Sequence, residues 1–147
     1  MELDGTNREI LNVITENARL SLRQIAKKTG FSPATVMKRM KSLEDGGAIK
    51  RYTVMLDYDK LGYEFGVITS IHISGGKSLE LEKEVAKEVG VIGVYGITGA
   101  DDLLVISRFN SRRAVDNFLK RVREFDFVEH SQSSLILRAA VEKPLQF

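Results

Sequence analysis

The stretch LRQIAKKTGFSPATVMKRM, from Leu22 to Met40, decides the fold of the N-terminal third of this 147-residue chain. Its spacing is typical of two helices that cross at a tight turn. Ala26 lies where the crossing needs a small side chain, and Gly30 lies where the turn needs a positive φ. Val36 then packs the second of these helices onto the first. The stretch therefore predicts a helix-turn-helix.

Capping residues predict where the helices of this region begin. Asp4 and Thr6 are alternative N-caps for a first helix, and Thr6 with Glu9 has the spacing of a capping box. Ser32 is predicted to cap the third helix, with Pro33 at its first position, where the missing N–H costs no hydrogen bond. The three predicted helices run from about Thr6 to Glu16, from Ser21 to Lys28, and from Ser32 to about Glu44.

The same region is rich in cations. Between Arg19 and Lys41 there are seven Lys or Arg residues and no Asp or Glu. Residues 1–51 carry a net charge of +4, whereas residues 52–147 carry −2, so the whole-chain value of +2 hides the asymmetry. A cationic surface without acids attracts the phosphate backbone of nucleic acids. The N-terminal unit is therefore predicted to bind double-stranded DNA.

The third helix has an apolar face and an opposite face of small, polar and cationic residues. Val36, Met40 and Leu43 recur at helical spacing and are predicted to face the core. The opposite face suits the major groove, where the N-terminal residues of a recognition helix reach base edges. A packing motif with a solvated cationic face is the alternative. The predicted DNA-binding residues are Ala34, Thr35 and Lys38 for bases, Arg39, Lys41, Lys50 and Arg51 for phosphates, and Ser32 at the helix start.

After Lys50 the pattern changes from helical to strand-like. The segment RYTVMLDYD, from Arg51 to Asp59, is predicted to form a short strand. The later elements follow the order β-α-β-β-α-β of a ferredoxin-like domain, so the class is α+β. The predicted division is a helix-turn-helix domain at 1–51, a linker strand and hinge at 52–62, and a ferredoxin-like domain at 63–147. Its elements are expected at Val67–Ser74, Ser78–Glu88, Val91–Thr98, Leu103–Phe109, Ser111–Glu124 and about Phe127–Leu137.

The strands of the second domain are apolar on both faces. The segments VIGVYGI and LLVI, at residues 91–97 and 103–106, place bulky side chains at both parities of the two-residue repeat. Two helices can cover only one face of a four-stranded sheet. The other face is predicted to pack against the sheet of a second subunit, which gives a homodimer at least. Such a dimer would favour a palindromic DNA site.

Composition excludes several classes of site. The chain has no cysteine, and its two histidines, His72 and His130, are interpreted as packed or interface residues, so no metal or cofactor is expected. It has no apolar run of about 18 residues and no secretory signal pattern at its start. We therefore expect a cytoplasmic protein.

The chain resembles the Lrp/AsnC, or feast/famine, transcriptional regulators over nearly its whole length. The resemblance lies in LDGTNREILNVI at residues 3–14, in the stretch from Ser21 to Gly62, and in GITGADDLLVISRF at residues 96–109. It implies a DNA-binding unit joined by a short strand to a ferredoxin-like effector domain. It also implies dimers that associate through that domain into octamers or related rings, with amino acids bound between dimers.

The resemblance further implies an effector site in the loop that begins at Thr98. Gly99 and Asp102 match the family's Gly-x-x-Asp pattern, in which backbone N–H groups could hold a carboxylate and Asp102 could pair with an α-ammonium. Ser131 and Ser133 stand where family members often have hydroxyl residues. A tight turn that needs Gly99 and Asp102 only for its conformation explains the loop equally well.

Two other functions stay open beside a non-enzymatic regulator. Some Lrp-like proteins are sirohaem decarboxylases, and Arg108, His72, Tyr95 and His130 would be the candidate residues for a tetrapyrrole. An architectural DNA-binding protein without an effector is the third reading. The intact cationic face of the third helix favours DNA over the enzyme.

Overall fold

The computed structural model describes residues 3–147, which fold into two compact units. The first unit comprises residues 3–55 together with Val141–Phe147, and the second comprises Leu56–Ala140. Regular structure in the first unit is helical, whereas the second combines two helices with a four-stranded sheet. The expected α+β class is therefore confirmed. The domain limits at residues 51 and 62 stay a prediction.

Three helices form the first unit, and side-chain caps fix where they begin. They are α1 (Gly5–Glu16), α2 (Leu22–Thr29) and α3 (Pro33–Asp45). Asp4 caps α1 by accepting from the backbone N–H of Asn7 at 2.8 Å, so the alternative cap at Thr6 is wrong. Because the carboxylate of Asp4 already satisfies this amide, the helix begins one residue before Thr6. Ser32 caps α3 as expected, accepting from the N–H of Thr35 at 3.1 Å.

The helix-turn-helix packs as its spacing predicts. Gly30 ends α2 with a φ of +76°, a left-handed conformation that glycine adopts without strain. Val36 is fully buried against the first helices, together with Ile10 and Ile25, which are exposed by 1% or less. Ala26 is buried where the helices cross. This core sets which face of α3 is left for solvent.

The chain returns to the first unit at its last seven residues. Both polar atoms of the side-chain amide of Asn12, on α1, form hydrogen bonds with the backbone of Phe147. Its Nδ2 donates to the carbonyl of Phe147 at 2.9 Å, and its Oδ1 accepts from the N–H of Phe147 at 2.8 Å. Residues far apart in sequence therefore share this unit.

The second unit has the β-α-β-β-α-β order that the sequence predicts. Its elements are β1 (Phe65–Ile73), α4 (Ser78–Val85), β2 (Val91–Gly96), β3 (Leu103–Phe109), α5 (Arg112–Arg123) and β4 (Val128–Leu135). The antiparallel sheet has the strand order β2-β3-β1-β4. Buried apolar residues of α4 and α5 pack on one face, where the rings of Phe109 and Phe118 lie 5.3 Å apart.

The other face of the sheet is left uncovered by the helices of its unit. In β1, Val67 and Ile71 are buried on the helix-covered face, whereas Ile68 between them is only partly buried. Ile68 stands opposite Ile106 of β3, and Leu104, two residues before Ile106, lies on the same face. As the sequence predicts, two helices cover only one face of the sheet.

Two expected elements differ from the structure. The strand expected from Arg51 to Asp59 does not form, because no segment among residues 3–147 pairs with it, and a strand requires a neighbour for its backbone groups. Helix α4 ends at Val85, short of Glu88, because the chain tightens there into turns in which the N–H groups of Lys87 and Glu88 donate to carbonyls three residues back. No helix within residues 3–147 is long and apolar enough to cross a membrane.

Candidate nucleic-acid interface and ligand loop

The expected front of α3 lies on the protein surface. Ala34, Thr35, Lys38 and Lys41 are exposed, as are Ser32, Lys50 and Arg51, whereas Val36 and Leu43 are fully buried on the opposite side. The core contacts of α3 therefore orient the expected base-reading residues outward. A helix with this division of faces can enter a major groove without disturbing its own packing.

The first turn of α3 is held by two hydroxyl groups. The Oγ of Ser32 accepts from the backbone N–H of Thr35 and lies 2.9 Å from the Thr35 Oγ1. Pro33 occupies the first helical position. The hydroxyl of Thr35 is therefore oriented before any DNA arrives, although a base would have to share it with Ser32.

Most cations of the first unit have no acidic partner among residues 3–147. The Nζ of Lys28 lies 3.9 Å from the Oε2 of Glu16, and an exposed ion pair of this length contributes little stability. Arg39 pairs with Asp4. Unpaired charges of one sign raise the local potential and attract phosphate. Within residues 19–51, the cations without an ion pair to any described residue are Arg19, Arg23, Lys27, Lys38, Lys41, Lys50 and Arg51.

Asp4 joins α1 to α3. Its Oδ1 accepts from the N–H of Asn7, while its Oδ2 pairs with the guanidinium of Arg39. The amide of Asn7 and the nearby Arg39 together hold the pKa of Asp4 below its ordinary value. The sequence did not indicate this pair, because its members are 35 residues apart.

Tyr52 ties the extended segment after α3 to the end of that helix. Its hydroxyl donates to the Oε1 of Glu44 at 2.7 Å. Partial burial and the negative charge of Glu44 raise the pKa of Tyr52 to about 12. The position of the segment that follows Arg51 is therefore coupled to α3.

The expected effector loop connects β2 to β3. Thr98 and Gly99 are exposed, and Gly99 has a φ of +129°, a conformation that other residues rarely adopt. No atom lies within 4 Å of where a Cβ at Gly99 would stand. The backbone at Gly99 is therefore accessible to solvent.

Asp102 fixes this loop to the end of β1. Its Oδ2 accepts from the N–H of Ile73 at 2.7 Å, and its own N–H donates to the carbonyl of Ile71 at 2.9 Å. The same Oδ2 lies 3.0 Å from the Nδ1 of His72, although these two atoms lack the alignment of a hydrogen bond. An α-ammonium at Asp102 would therefore share a carboxylate that already has partners.

His72 also lies close to a second carboxylate. Its Nε2 is 3.6 Å from the Oε2 of Glu129, and its side chain is 43% exposed. The sequence reading of a packed or interface histidine did not include these neighbours, because strand pairing brings them together across long stretches of chain. No group of three His, Asp or Glu side chains in the described part of the chain is arranged to hold a metal ion.

Ser131 and Ser133 lie on β4, on the far side of β1 from the loop. They stand opposite Ile71 and Thr69 in the strand register, so they share the helix-covered face. Ser133 Oγ is 2.9 Å from Thr69 Oγ1, and Ser131 Oγ accepts from Arg123 Nε at 3.4 Å. The structure therefore brings Thr98, Gly99 and Asp102 together and separates the two serines from them by one strand.

Two family models match the chain. A model described as winged helix-turn-helix DNA-binding matches residues 3–50, which contain α1, α2 and α3. A model described as the Lrp/AsnC ligand binding domain matches residues 66–145, which contain nearly all of the sheet with α4 and α5. The first match therefore covers the helical unit, and the second covers the unit that contains the sheet.

Relatives of similar length are described as transcriptional regulators. An uncharacterized HTH-type transcriptional regulator of Pyrococcus furiosus is 41% identical over 142 residues, covering 97% of this chain and 96% of that protein. The HTH-type transcriptional regulator FL11 of the same organism is 29% identical over 140 residues, covering 95% of this chain and 93% of that one.

Solved structures share the fold of this chain. A Neisseria meningitidis transcriptional regulator in complex with L-Met has a TM-score of 0.86 at 26% identity, covering 97% of this chain and 94% of that one. AsnC of Escherichia coli has a TM-score of 0.88 at 20% identity, covering 99% of each chain, which establishes likeness of fold.

Proposed function

Because this chain belongs to the Lrp/AsnC family of transcriptional regulators, we propose that it regulates transcription by binding specific sites on double-stranded DNA through α3. The observation that carries the proposal is the exposed front of α3, whose cations have almost no acidic partners. Ala34, Thr35 and Lys38 would contact bases. The proposed phosphate-binding residues are Lys41, Lys50 and Arg51, with Ser32 at the helix start, whereas Arg39 on the flank is already paired with Asp4.

Selection of genomic fragments tests this function. Purified protein retains fragments of sheared DNA from its own organism, and the retained fragments are sequenced for wild type and for Lys38→Ala. We expect a palindromic sequence to be enriched by wild type and to be lost or altered with Lys38→Ala, because Lys38 lies on the face that enters the groove. Lys83→Ala, which removes an exposed lysine of α4, is the matched control. Uniform retention, or the same enrichment by all three proteins, would contradict the proposal.

The second unit is proposed to bind an amino acid at the loop from Thr98 to Asp102. Support comes from the match to a ligand-binding domain and from the L-Met complex of the Neisseria relative. In this proposal the backbone around Gly99 holds the carboxylate and Asp102 pairs with the ammonium, with Ser131 and Ser133 completing the site. The serines could contribute only from across β1, so they are the weaker part of the set.

The existing partners of Asp102 favour a second candidate, a DNA-binding protein without an effector. DNA affinity measured with each of the twenty amino acids separates the two functions. If an amino acid acts, we expect Asp102→Ala to abolish the response while the protein still binds DNA. Unchanged affinity with all twenty would support the effector-free function, and loss of DNA binding by Asp102→Ala would show that Asp102 is structural.

The uncovered face of the sheet is proposed to form a homodimer, with larger assemblies such as octamers built from it. Support comes from the apolar residues Ile68, Leu104 and Ile106, which lie together on that face. A dimer presents two copies of α3 to the two halves of a palindrome. A DNA partner also supports the cytoplasm as the place of action. The relatives are described as regulators, and this is the support for a non-enzymatic role.

A further inference from the structure

One carboxylate holds two helices of the helix-turn-helix unit together. Asp4 uses Oδ1 to cap α1 and Oδ2 to bind Arg39 of α3. Both side chains are partly shielded, with exposures of 38% for Arg39 and 41% for Asp4. Each oxygen of Asp4 therefore contacts a different helix, and the cap and the ion pair depend on the same side chain.

Arg39 has an acidic partner, whereas the neighbouring lysines of α3 do not. Lys38 and Lys41 have no ion pair with any residue in the described range 3–147, so phosphates can bind them without displacing an acid. Arg39 binds Asp4 through Nη1, so a phosphate at its other N–H groups would meet a guanidinium whose charge Asp4 already offsets in part. Its gain from a phosphate is smaller for that reason, because the nearby carboxylate of Asp4 also repels the phosphate.

We infer that Arg39 is a positioning residue for DNA binding: its ion pair with Asp4 fixes α3 against the start of α1, and it does not neutralise a phosphate. The inference rests on the proposed function, because it assumes that α3 contacts DNA. It assigns Arg39 a role different from that of Lys41, Lys50 and Arg51. It also gives Asp4 a role in DNA recognition although its carboxylate would repel phosphate.

Salt dependence separates a positioning role from a phosphate contact. Each phosphate contact that is lost reduces the slope of log affinity against log salt by about 0.9, whereas a misplaced helix changes affinity without changing the number of ions released. Two duplexes are used, the fragment enriched by wild type and one of unrelated sequence. Binding is measured from about 50 to about 200 mM salt.

The variants isolate the two functions of Asp4. Asp4→Asn keeps an oxygen that can cap α1, since Asn and Asp are equally good N-caps, but removes the charge that binds Arg39. Arg39→Ala removes the other partner. Arg39→Gln keeps a donor for Asp4 without a positive charge. Lys41→Ala is the matched control for a phosphate contact, and the thermal midpoint of every variant is recorded.

We expect Arg39→Ala to leave the slope at its wild-type value while affinity for the enriched fragment falls by about tenfold, the effect of one misplaced base contact. Arg39→Gln should recover part of that affinity at an unchanged slope. Asp4→Asn should reproduce the loss, and the double variant Asp4→Asn with Arg39→Ala should lose no more than either single variant. Lys41→Ala should reduce the slope by about 0.9 on both duplexes.

A phosphate contact by Arg39 would give a different salt dependence. A fall in slope of about 0.9 with both Arg39→Ala and Arg39→Gln would make Arg39 a phosphate contact and overturn the inference. So would losses that add in the double variant. If wild type binds neither duplex, the proposed function itself fails, and this inference fails with it.

Discussion

Single residues in this protein are constrained most tightly where the backbone approaches a neighbouring strand. Gly90 has a φ of +96°, and a Cβ there would stand 2.5 Å from the carbonyl oxygen of Arg108 and 2.9 Å from the ring of Phe109. Its own carbonyl accepts from the N–H of Arg108 at 2.7 Å, so the backbone cannot move away without losing that bond. We expect Gly90→Ala to destabilise the second unit by about 1–3 kcal/mol more than Gly75→Ala does, as overpacking usually costs.

Gly75 is the control because its φ of +69° is also positive and no atom lies within 4 Å of its added Cβ. Both variants therefore share the strain of a left-handed residue, and only Gly90→Ala has the steric conflict. Urea denaturation measures the free energy of unfolding of each. Equal losses would show that the conflict near Arg108 relaxes freely.

Tyr52 gives a pH dependence that can be assigned to one hydroxyl. Its pKa is raised from 10.0 to about 12 by partial burial and by Glu44. A raised pKa in the folded state adds stability that is fully present below pH 10.0 and is lost as the pH rises through about 12. We expect the difference in unfolding free energy between wild type and Tyr52→Phe to be constant below pH 10.0 and to shrink above it.

The measurement compares denaturation at a series of pH values, so that alkaline effects common to both proteins cancel. Tyr95→Phe serves as the control, because Tyr95 is exposed and its hydroxyl makes no hydrogen bond to any residue of the described range. A Tyr52→Phe difference that does not depend on pH would mean that Glu44 does not affect the hydroxyl.

At the scale of elements, Phe118 is the largest fully buried side chain by which α5 packs on the sheet. Phe118 is fully buried and packs against Phe109, and Val122 lies one turn further along the same stripe. We expect Phe118→Ala to reduce the free energy of unfolding by about 3–5 kcal/mol, because it removes buried area and leaves a cavity. Leu79→Ala is the control, since Leu79 is 70% exposed on α4. A loss below about 1 kcal/mol, the size of a surface effect, would contradict this role for Phe118.

The elements that were predicted correctly are those whose signals lie within a few residues. Ser32 caps α3 through an amide three residues away, and Gly30 ends α2 by its own conformation, so both could be read from the sequence. The segment after Arg51 has strand composition but no partner within residues 3–147, and composition alone does not supply one. The pairs of Asp4 with Arg39 and of Asp102 with His72 span 35 and 30 residues, a separation that only the fold resolves.

At the scale of the whole molecule, charge and apolar surface belong to different parts of the chain. The net charge of +4 lies in residues 1–51, whereas the uncovered sheet face, with Ile68, Leu104 and Ile106, lies in the part with a net charge of −2. The acidic part does not repel a second copy strongly, because its net charge is small. DNA binding and self-association can therefore use separate surfaces.

Ile106 tests the association of two chains, because it stands opposite Ile68 near the middle of the uncovered face. We expect wild type to sediment as a dimer or larger, and Ile106→Arg to sediment as a 16.5 kDa monomer, since the variant buries an unpaired charge only when two sheets meet. Leu79→Arg places the same charge on an exposed position of α4 and should leave the mass unchanged. Circular dichroism shows whether each variant remains folded. A folded Ile106→Arg variant with the wild-type mass, or a monomeric wild type, would mean that this face is not the dimer interface. Two copies of α3 would then have to be paired through another surface, or each would act singly.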